Sequence, residues 1–361
     1  MSITRLQIEQ LRNIQLADIR AGDGLNILTG DNGAGKTTVL EALAMLGRGR
    51  SFRTARSAEC IQNGKNYFRT IVEFHQSGKP YHLGFERHQS SWKARLNGSD
   101  VTRVSDMARL LPSAIFEPQS QELINGGPDG RRRFIDWGLF HVEHRFLKLW
   151  REHDRILKQR NKALRESSPE RVIRSLDQVL LPLATELHQL RQQHVSTLSE
   201  HWQPLIQRIA PDLSDMQLSL RRGWAKDKSL EEALNDGLVQ DRIYQRTRNG
   251  AHRDDLNLTQ SGIKAQTVLS RGQQKLAALG LILSQLDVWR SGIPQKPIVI
   301  LDDLTSELDE RHSRLILDWL METGLQVWIS AVSWPKSLDQ SLQESQSVMF
   351  HVEHGNVQQM L

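Results

Sequence analysis

The chain has 361 residues, a net charge of +5 and a single cysteine, Cys60. Its length predicts two or three domains, and one cysteine excludes an intrachain disulfide and a four-cysteine zinc site, which favours a reducing compartment such as the cytoplasm. The longest uncharged apolar stretch, 276–283, is far shorter than the roughly 20 residues of a membrane-spanning helix, so we expect no membrane insertion. The basic balance alone is a weak indication of a polyanionic partner.

The first predicted site lies near the N-terminus, where a short apolar strand, Leu25–Thr29, runs directly into a glycine-rich loop and a helix. The loop matches the pattern G-x-x-x-x-G-K-[ST], whose inward-pointing backbone N–H groups cradle phosphates. Lys36 is expected to reach the outer phosphates of ATP, and the Thr37 hydroxyl to bind Mg²⁺. The predicted nucleotide-binding residues of this segment are Gly30, Asp31, Asn32, Gly33, Ala34, Gly35, Lys36, Thr37 and Thr38.

Alternating apolar residues in 70–74 and 81–87 predict antiparallel strands, and helical patterning follows after Asp100. Within 141–166, 3,4 spacing predicts a packing seam at Leu147, Trp150, Asp154, Leu157, Asn161 and Leu164. A neighbouring face of the same helix is basic and carries Lys148, Arg151, Arg155, Lys158, Lys162 and Arg165. Such a face is more often simply solvated, and the alternative is sequence-independent contact with the DNA backbone. In the next helical stretch, Pro182 is expected to cause a kink or a restart.

A helix N-terminus is predicted at Ser270-Arg271-Gly272-Gln273-Gln274. The free N–H groups of a helix start bind anions, and Ser270, Gly272 and Gln273 are predicted to hold nucleotide phosphates. On the same chain's ATP this terminus would compete with the glycine-rich loop. We therefore expect it to bind the ATP of a second copy, across the twofold axis of a head-to-tail dimer.

The apolar run Pro297–Leu301 predicts a strand buried on both faces, and it ends in Asp302-Asp303. Asp302 is predicted to hold Mg²⁺, and Asp303 to orient or deprotonate the water that attacks the γ-phosphate. A solvated strand end is the alternative interpretation. Because most of the chain separates Lys36 from Asp302, a large insertion is expected between the two halves of one nucleotide site.

These motifs, together with Ser306–Asp309, resemble the ABC-type ATPase head of the RecF, SMC and related DNA-repair branch. Further stretches similar to the RecF family are Leu11–Asn13, Gly126–Pro128, Arg131–Trp137 and Gly250–Leu256. The resemblance implies an α/β fold with a mixed sheet, an antiparallel β section and an inserted, mostly helical lobe. Its implied segments are a head part at 1–120, the lobe at 121–250 and a second head part at 251–361. It also implies that Gln119 senses magnesium and water.

The resemblance further implies an ATP- and Mg²⁺-dependent protein that dimerises on ATP, clamps DNA at gaps or single-/double-strand junctions and releases it on hydrolysis. The implied partners are RecR and RecO, with roles in recombinase loading, replication and the SOS response. Lys36, Gln119 and Asp303 are the expected catalytic residues. Ala251 stands where the family commonly has proline, and Ser330 where transport ATPases carry a switch histidine. With Asp303 where those enzymes have glutamate, these departures lead us to expect slow hydrolysis.

Three other protein classes remain open. The ATPase subunit of a membrane transporter would need a membrane-docking groove, and a P-loop kinase or helicase would not need the segment 270–274. An ATP-gated scaffold without significant turnover is the third. The thirteen histidines give no convincing ligand set for a metal. The loop His252–Asp255 is not assigned by its sequence to nucleotide, to DNA or to neither.

Overall fold

The computed structural model describes residues 2–293, 295–338 and 347–360. The chain divides into two compact units, of which unit 1 comprises Met1–Ser120, Arg208–Ala210 and Arg290–Leu361, and unit 2 comprises Gln121–Gln207 and Pro211–Trp289. The three-segment division into head and lobe stays a prediction, and its residues Met1, Pro294, 339–346 and Leu361 lie outside the described ranges.

The strands are β1 Ser2–Leu11, β2 Ile14–Arg20, β3 Leu25–Thr29, β4 Tyr67–Gln76, β5 Lys79–His88, β6 Trp92–Leu96, β7 Ser99–Asp100, β8 Ser113–Phe116, β9 Met216–Arg221, β10 Asp255–Gln260, β11 Ile263–Lys264, β12 Ile298–Leu301, β13 Val327–Ser330, β14 Val348–Glu353 and β15 Asn356–Gln359. The helices are α1 Lys36–Arg48, α2 Val104–Leu110, α3 Glu122–Asn125, α4 Pro128–Val142, α5 Phe146–Arg165, α6 Glu170–Ile209, α7 Leu230–Tyr244, α8 Ala265–Val268, α9 Arg271–Gly292, α10 Leu304–Glu307 and α11 Glu310–Thr323. In the described ranges, no helix combines the length and apolar composition needed to cross a bilayer.

One sheet of unit 1 has the order β15-β14-β3-β13-β12-β8, and its strands are parallel apart from β15 at the edge. Every residue of β3, β8, β12 and β13 is buried, as the continuous apolar runs of strands covered on both faces predict. The predicted strands at 25–29 and 297–301 are therefore confirmed. Their carboxyl ends share one edge of the sheet, where ligands of such sheets bind.

The antiparallel sheet of unit 1 has the order β2-β1-β4-β5-β6-β7. The alternating burial of β4 confirms the predicted period-2 pattern, because one face of the strand packs inward and the other faces water. Helix α1 contacts strands of both sheets and is buried over most of its length. Both sheets and α1 thus share one apolar core, which fixes the start of α1 beside the parallel strand ends.

Unit 2 is mostly helical, and its small sheet has the order β11-β10-β9. The buried face of α5 consists of Phe146, Leu149, His153, Ile156, Arg160 and Ala163, with Leu164 also buried. The predicted seam was wrong, since Trp150 is 37% exposed and Leu147, Asp154, Leu157 and Asn161 are only partly buried. The true seam was hidden because it contains two polar residues, His153 and Arg160, whose partners are distant in sequence.

The predicted restart at Pro182 was also wrong. Helix α6 is continuous from Glu170 to Ile209 and contains both Pro182 and Pro204. Proline in a helix interior costs about 3 kcal/mol. Burial of the neighbouring Leu180, Ala184 and Leu187 outweighs this cost, because each of these apolar side chains is removed from water.

Candidate nucleotide site

The glycine-rich loop between β3 and α1 is shaped by a close approach of the backbone. Gly30 has a φ of 139°, and a Cβ there would lie 2.1 Å from the carbonyl oxygen of Val352. Gly35 has a φ of 124° and precedes the first helical residue, Lys36. Side chains other than hydrogen are strained or excluded at both positions. The loop therefore curls back to the helix start, as the sequence pattern predicts for a phosphate cradle.

Asn13, in the turn between β1 and β2, holds this loop from the side. Its amide nitrogen donates to the carbonyl oxygens of Gly33 at 3.1 Å and Ala34 at 3.0 Å, and its oxygen accepts a hydrogen bond from the Thr38 hydroxyl at 3.0 Å. The neighbouring Arg12 pairs with Glu41, a buried carboxylate on α1. Leu11–Asn13 was singled out only because it resembles the RecF family. The sequence did not predict that Asn13 and Arg12 support the loop and α1.

Lys36 is buried with its ammonium directed at the loop. Its Nζ donates to the carbonyl oxygens of Gly30 at 2.6 Å and Asp31 at 2.9 Å. Burial lowers the pKa of Lys36, and the nearby carboxylates of Asp303, Asp302 and Asp31 oppose that shift. Neutral backbone carbonyls thus hold the Lys36 ammonium at the centre of the cradle. A charged phosphate oxygen can replace these carbonyls as its acceptor, because hydrogen bonds between two charged groups are stronger.

Thr37 and Asp302 meet although they lie in motifs at opposite ends of the chain. The Thr37 hydroxyl donates to Oδ1 of Asp302 at 2.9 Å. The Ser330 hydroxyl donates to the same oxygen at 2.7 Å and accepts from the backbone N–H of Asp303 at 2.8 Å. Burial raises the pKa of Asp302, while these two hydroxyl bonds act in the opposite direction. The bonding of Ser330 was not anticipated from its sequence position.

Asp303 and Gln119 lie at the same edge of the parallel sheet. Asp303 adopts the left-handed region with a φ of 58°, and its carboxylate accepts from the Ser306 hydroxyl at 2.7 Å. Gln119 follows β8 in an exposed 3₁₀ turn, and β8 pairs with β12, the strand that ends at Asp302. Unit 1 thus brings together the cradle, Asp302 and Asp303, whereas no direct contact joins Gln119 to them.

The predicted helix start at Ser270 is present in unit 2. The Ser270 hydroxyl accepts from the N–H of Gln273 at 3.3 Å, and the Gln273 side chain accepts from the N–H of Ser270 at 3.0 Å, which is a capping box. Ser270, Arg271 and Gly272 are exposed, and a Cβ at Gly272 would meet no atom of the described ranges within 4 Å. Gln274, in contrast, is buried and bonds Leu269 and Asn125, so it is occupied internally.

All six basic residues predicted on α5 are exposed. Lys158 pairs with Asp154 at 2.6 Å, and Lys162 with Glu166 at 3.7 Å. The remaining four, Lys148, Arg151, Arg155 and Arg165, form no salt bridge in the part of the chain that is described. The face is therefore an exposed basic stripe, and its contact with DNA stays a prediction.

The residues around Thr37 fit a hydrated magnesium ion. Mg²⁺ in nucleotide sites uses one or two protein oxygens together with phosphates and waters, and Thr37 and Asp302 supply a hydroxyl and a carboxylate in contact. Among the described residues, no group of three or more histidine, cysteine, aspartate or glutamate side chains could hold a metal. A bound Mg²⁺ would neutralise charge between the outer phosphates of ATP.

The parallel sheet, the cradle and the acidic strand end define an ABC-type P-loop ATPase head. The family model of the RecF/RecN/SMC N-terminal domain matches residues 2–357. The chain is 38% identical to the DNA replication and repair protein RecF of Shewanella piezotolerans over 358 residues, which cover 99% of each chain. The RecF of Stenotrophomonas maltophilia is 36% identical over 363 residues and 99% of both chains. The chain belongs to the RecF family.

Solved structures agree on the fold. The recombination mediator protein RecF with ATP, from the RecFOR pathway, superposes with a TM-score of 0.87 at 23% identity, covering 100% of this chain and 98% of that one. An Smc head bound to the C-terminal winged-helix domain of ScpA gives a TM-score of 0.60 at 14% identity, covering 100% of this chain and 97% of that one. The predicted fold class, an ATPase head with an antiparallel β section and a helical lobe, is therefore confirmed.

Proposed function

We propose that this protein is an ATP-dependent DNA-binding protein of recombinational repair and replication. The observation that carries the proposal is the hydrogen bond between Thr37 and Asp302, which joins the phosphate cradle to the acidic strand end. The relatives that are 36–38% identical to this chain over 99% of its length are DNA replication and repair proteins. ATP is the nucleotide in the structurally similar RecF. Mg²⁺ is the metal that the Thr37 and Asp302 oxygens suit.

In this proposal, ATP pairs two copies of the chain. The first turn of α9 supports this step, because Ser270, Arg271 and Gly272 are exposed and no atom of the described residues lies close enough to Gly272 to require a glycine there. A glycine at a helix start allows a phosphate to approach the backbone N–H groups closely. Ser270, Gly272 and Gln273 of one copy thus bind the ATP that Gly30–Thr38 of the other copy hold.

Hydrolysis then ends the paired state. Lys36 stabilises the outer phosphates, Asp303 orients the attacking water and Gln119 senses the bound magnesium. Asp303 is a short carboxylate already bonded to Ser306, and Ser330, where transport ATPases carry a switch histidine, is bonded to Asp302. Both features support a slow ATPase that acts as a switch rather than as a rapid motor.

DNA contact is assigned to the α5 stripe of Lys148, Arg151, Arg155, Lys158, Lys162 and Arg165. Four of these six cations are free of local carboxylates in the described residues, so they are available to phosphates. Binding is sequence-independent and salt-sensitive, because phosphate contacts release counterions without reading bases. The substrate is single-stranded or gapped duplex DNA in the cytoplasm, with RecR and RecO as protein partners.

Two alternatives make different predictions. A transporter ATPase subunit would need a membrane partner and would not respond to DNA. An ATP-gated scaffold would pair on ATP and bind DNA with negligible turnover. Measuring ATP turnover with and without DNA separates both from a DNA-stimulated switch.

Light scattering tests the proposal directly. The mass of the protein is measured with ATP, with ADP and without nucleotide, and again with a short gapped duplex. We expect the mass to double only with ATP and the dimer to bind the duplex. A protein that stays monomeric with ATP at every concentration, both free and on DNA, would contradict the shared site.

A further inference from the structure

A second group of arginines in unit 2 surrounds a contact between two loops. The His252 ring donates from Nε2 to the carbonyl oxygen of Thr247 at 2.9 Å. Arg246 and Arg248 flank Thr247, and Arg253 follows His252. Arg132 of α4 donates to the carbonyl oxygen of Asp254 at 2.6 Å. We call Arg132, Arg246, Arg248 and Arg253 the arginine cluster.

The backbone under the cluster is rigidly held. The N–H groups of Arg246 and Arg248 donate to Asp241 at 3.1 and 3.0 Å, and Thr247 donates to Asn161 of α5 at 2.7 Å. Gly223 packs so closely that a Cβ there would lie 2.1 Å from the carbonyl oxygen of Gly250 and 2.6 Å from the Cβ of Arg253. The guanidiniums are therefore presented by a fixed scaffold, which lowers the entropy that binding must overcome.

The carboxylates beside the cluster are already paired with other cations. Asp254 pairs with Arg191, Asp255 with Arg131, and Asp241 with Arg160, and the His188 ring also lies 3.1 Å from Asp254. Asp129 pairs with Arg132 and is itself exposed. In the described ranges, Arg246, Arg248 and Arg253 form no salt bridge. These three arginines therefore form no ion pair among the described residues, although Asp241, Asp254 and Asp255 are close to them in sequence, because those carboxylates pair with other residues.

The arginines also affect one another. Burial lowers the pKa of Arg253, and the positive charges of Arg246, Arg132 and Arg248 lower it further, while the Asp129 carboxylate acts in the opposite direction. Arg248 lies over the ring of Tyr244 at 4.7 Å from its centre, which orients the guanidinium without neutralising it. Four arginines held together with Asp129 as the one acid that acts on Arg253 favour binding of an anion, because binding relieves their repulsion.

The cluster continues the basic stripe. Asn161, which anchors Thr247, lies on α5 between Lys158 and Lys162. The exposed Arg246 and Arg248 flank Thr247 and are therefore held next to the stretch of α5 that carries the stripe. The stripe and the cluster together form a run of cations. The regularly spaced phosphates of a nucleic-acid backbone can contact more of these cations than a single phosphate ion can.

We propose that Arg132, Arg246, Arg248 and Arg253 bind the phosphate backbone of nucleic acid as a continuation of the α5 stripe. This inference rests on the proposed DNA-binding function and gives it a second contact surface. Arginine suits the task, because its planar group donates to two phosphate oxygens at once. The loop His252–Asp255 then has a positioning role, in which His252 and Asp254 hold the cluster in place.

Fluorescence anisotropy of a labelled gapped duplex tests the inference with the full-length protein, ATP and Mg²⁺ over a range of salt concentrations. The test variant is Arg246→Gln with Arg248→Gln, two exposed residues whose loss breaks no ion pair. Lys79→Gln with Arg103→Gln, both exposed in unit 1, removes the same charge elsewhere. Arg151→Ala with Arg155→Ala tests the α5 stripe. Arg246→Lys with Arg248→Lys retains the charge and is expected to restore most binding.

We expect the cluster variant to weaken binding roughly tenfold and to flatten the salt dependence by about one unit of slope per lost phosphate contact. The unit 1 control should bind like the parent protein. If the stripe variant loses affinity and the cluster variant does not, the cluster inference is overturned and the proposed function stands. If neither variant changes the slope, both assignments are overturned. Binding of a labelled polyglutamate peptide is measured in the same way. If the cluster variant loses polyglutamate binding but keeps DNA binding, the inference is overturned in favour of an acidic protein partner.

Discussion

The Thr37 hydroxyl lies 2.9 Å from Oδ1 of Asp302, across a sequence separation of 265 residues. The parallel sheet makes this contact, because β3 leads into the cradle and β12 ends at Asp302 on the same edge. The glycine-rich loop and the acidic strand end therefore meet within unit 1. In the proposed dimer, a second copy would add the helix start at Ser270.

Substitutions at Lys36 and Ser270 should separate nucleotide binding from pairing. Lys36→Ala removes the cation at the centre of the cradle and should abolish ATP binding or turnover in each monomer. Ser270→Arg should leave monomer binding nearly intact and block ATP-dependent dimerisation. Ser270→Thr keeps the capping hydroxyl and should pair normally. Calorimetry measures binding and light scattering the mass. Equal loss of ATP affinity in the Lys36 and Ser270→Arg variants would argue against a shared site.

Asn13 should control the affinity of the cradle for nucleotide. Asn13→Asp loses the amide donors to Gly33 and Ala34 but keeps an oxygen that accepts from Thr38. It also brings a negative charge near the phosphates. We expect ATP affinity to fall at least tenfold, or by about 1.4 kcal/mol or more. Asn13→Ala, without the charge, should lose less. Unchanged affinity in both variants would assign Asn13 to folding alone.

Ser330→Ala should uncouple the two aspartates. It removes the donor to Asp302 and leaves the Asp303 N–H without its acceptor, at a cost of roughly 1–3 kcal/mol of folding stability. We expect turnover to fall more than ATP affinity does. Ser330→Thr keeps the hydroxyl and should retain most activity. Steady-state kinetics and urea unfolding measure the two effects, and a variant that loses stability but no turnover would refute the coupling.

The buried ion pairs of Arg160 should dominate the stability of unit 2. Arg160 is fully buried and pairs with Asp177 and Asp241. Arg160→Leu leaves two carboxylates uncompensated and should cost about 3–5 kcal/mol. Arg174→Gln removes a surface pair with Glu170 and should change stability by less than about 1 kcal/mol. Urea unfolding measures both, and similar costs for the two variants would contradict this account.

Three histidines, of which His153 and His194 are buried and His252 is partly buried, should make unit 2 sensitive to acid. Burial lowers the pKa of His153, His194 and His252 to about 4 each. Their unfolded pKa is about 6.5. The folded state thus binds fewer protons, so stability is full above pH 6.5 and falls as the pH drops toward 4. His194→Gln should flatten this decline, which thermal melts at successive pH values would show. A melting temperature that is constant between pH 6.5 and 4.5 would exclude the effect.

The meeting of the two motifs of the candidate nucleotide site was predictable from sequence, because the signals of both are local. The loop 30–37 and the strand 298–301 each carry their own pattern, and general rules of parallel sheets bring them together. The α5 seam was not predictable, since Arg160 is buried only because Asp177 and Asp241 lie against it. Pro182 likewise remains in a continuous helix because of packing by residues on either side. Ser330 and Asn13 act through contacts that no spacing encodes.

Alkylation of Cys60 can be used to measure local opening of the folded chain. Its thiol is fully buried 3.5 Å from the Glu41 carboxylate, and burial together with that carboxylate raises the pKa of Cys60 to about 12. The reactive thiolate is therefore scarce at neutral pH, and alkylating reagents can label the folded chain only when this region opens. Glu41 lies on α1 and also accepts from Arg12, beside Asn13. The rate of alkylation should thus measure how often the region around Glu41, Arg12 and Asn13, which supports the glycine-rich loop, opens locally.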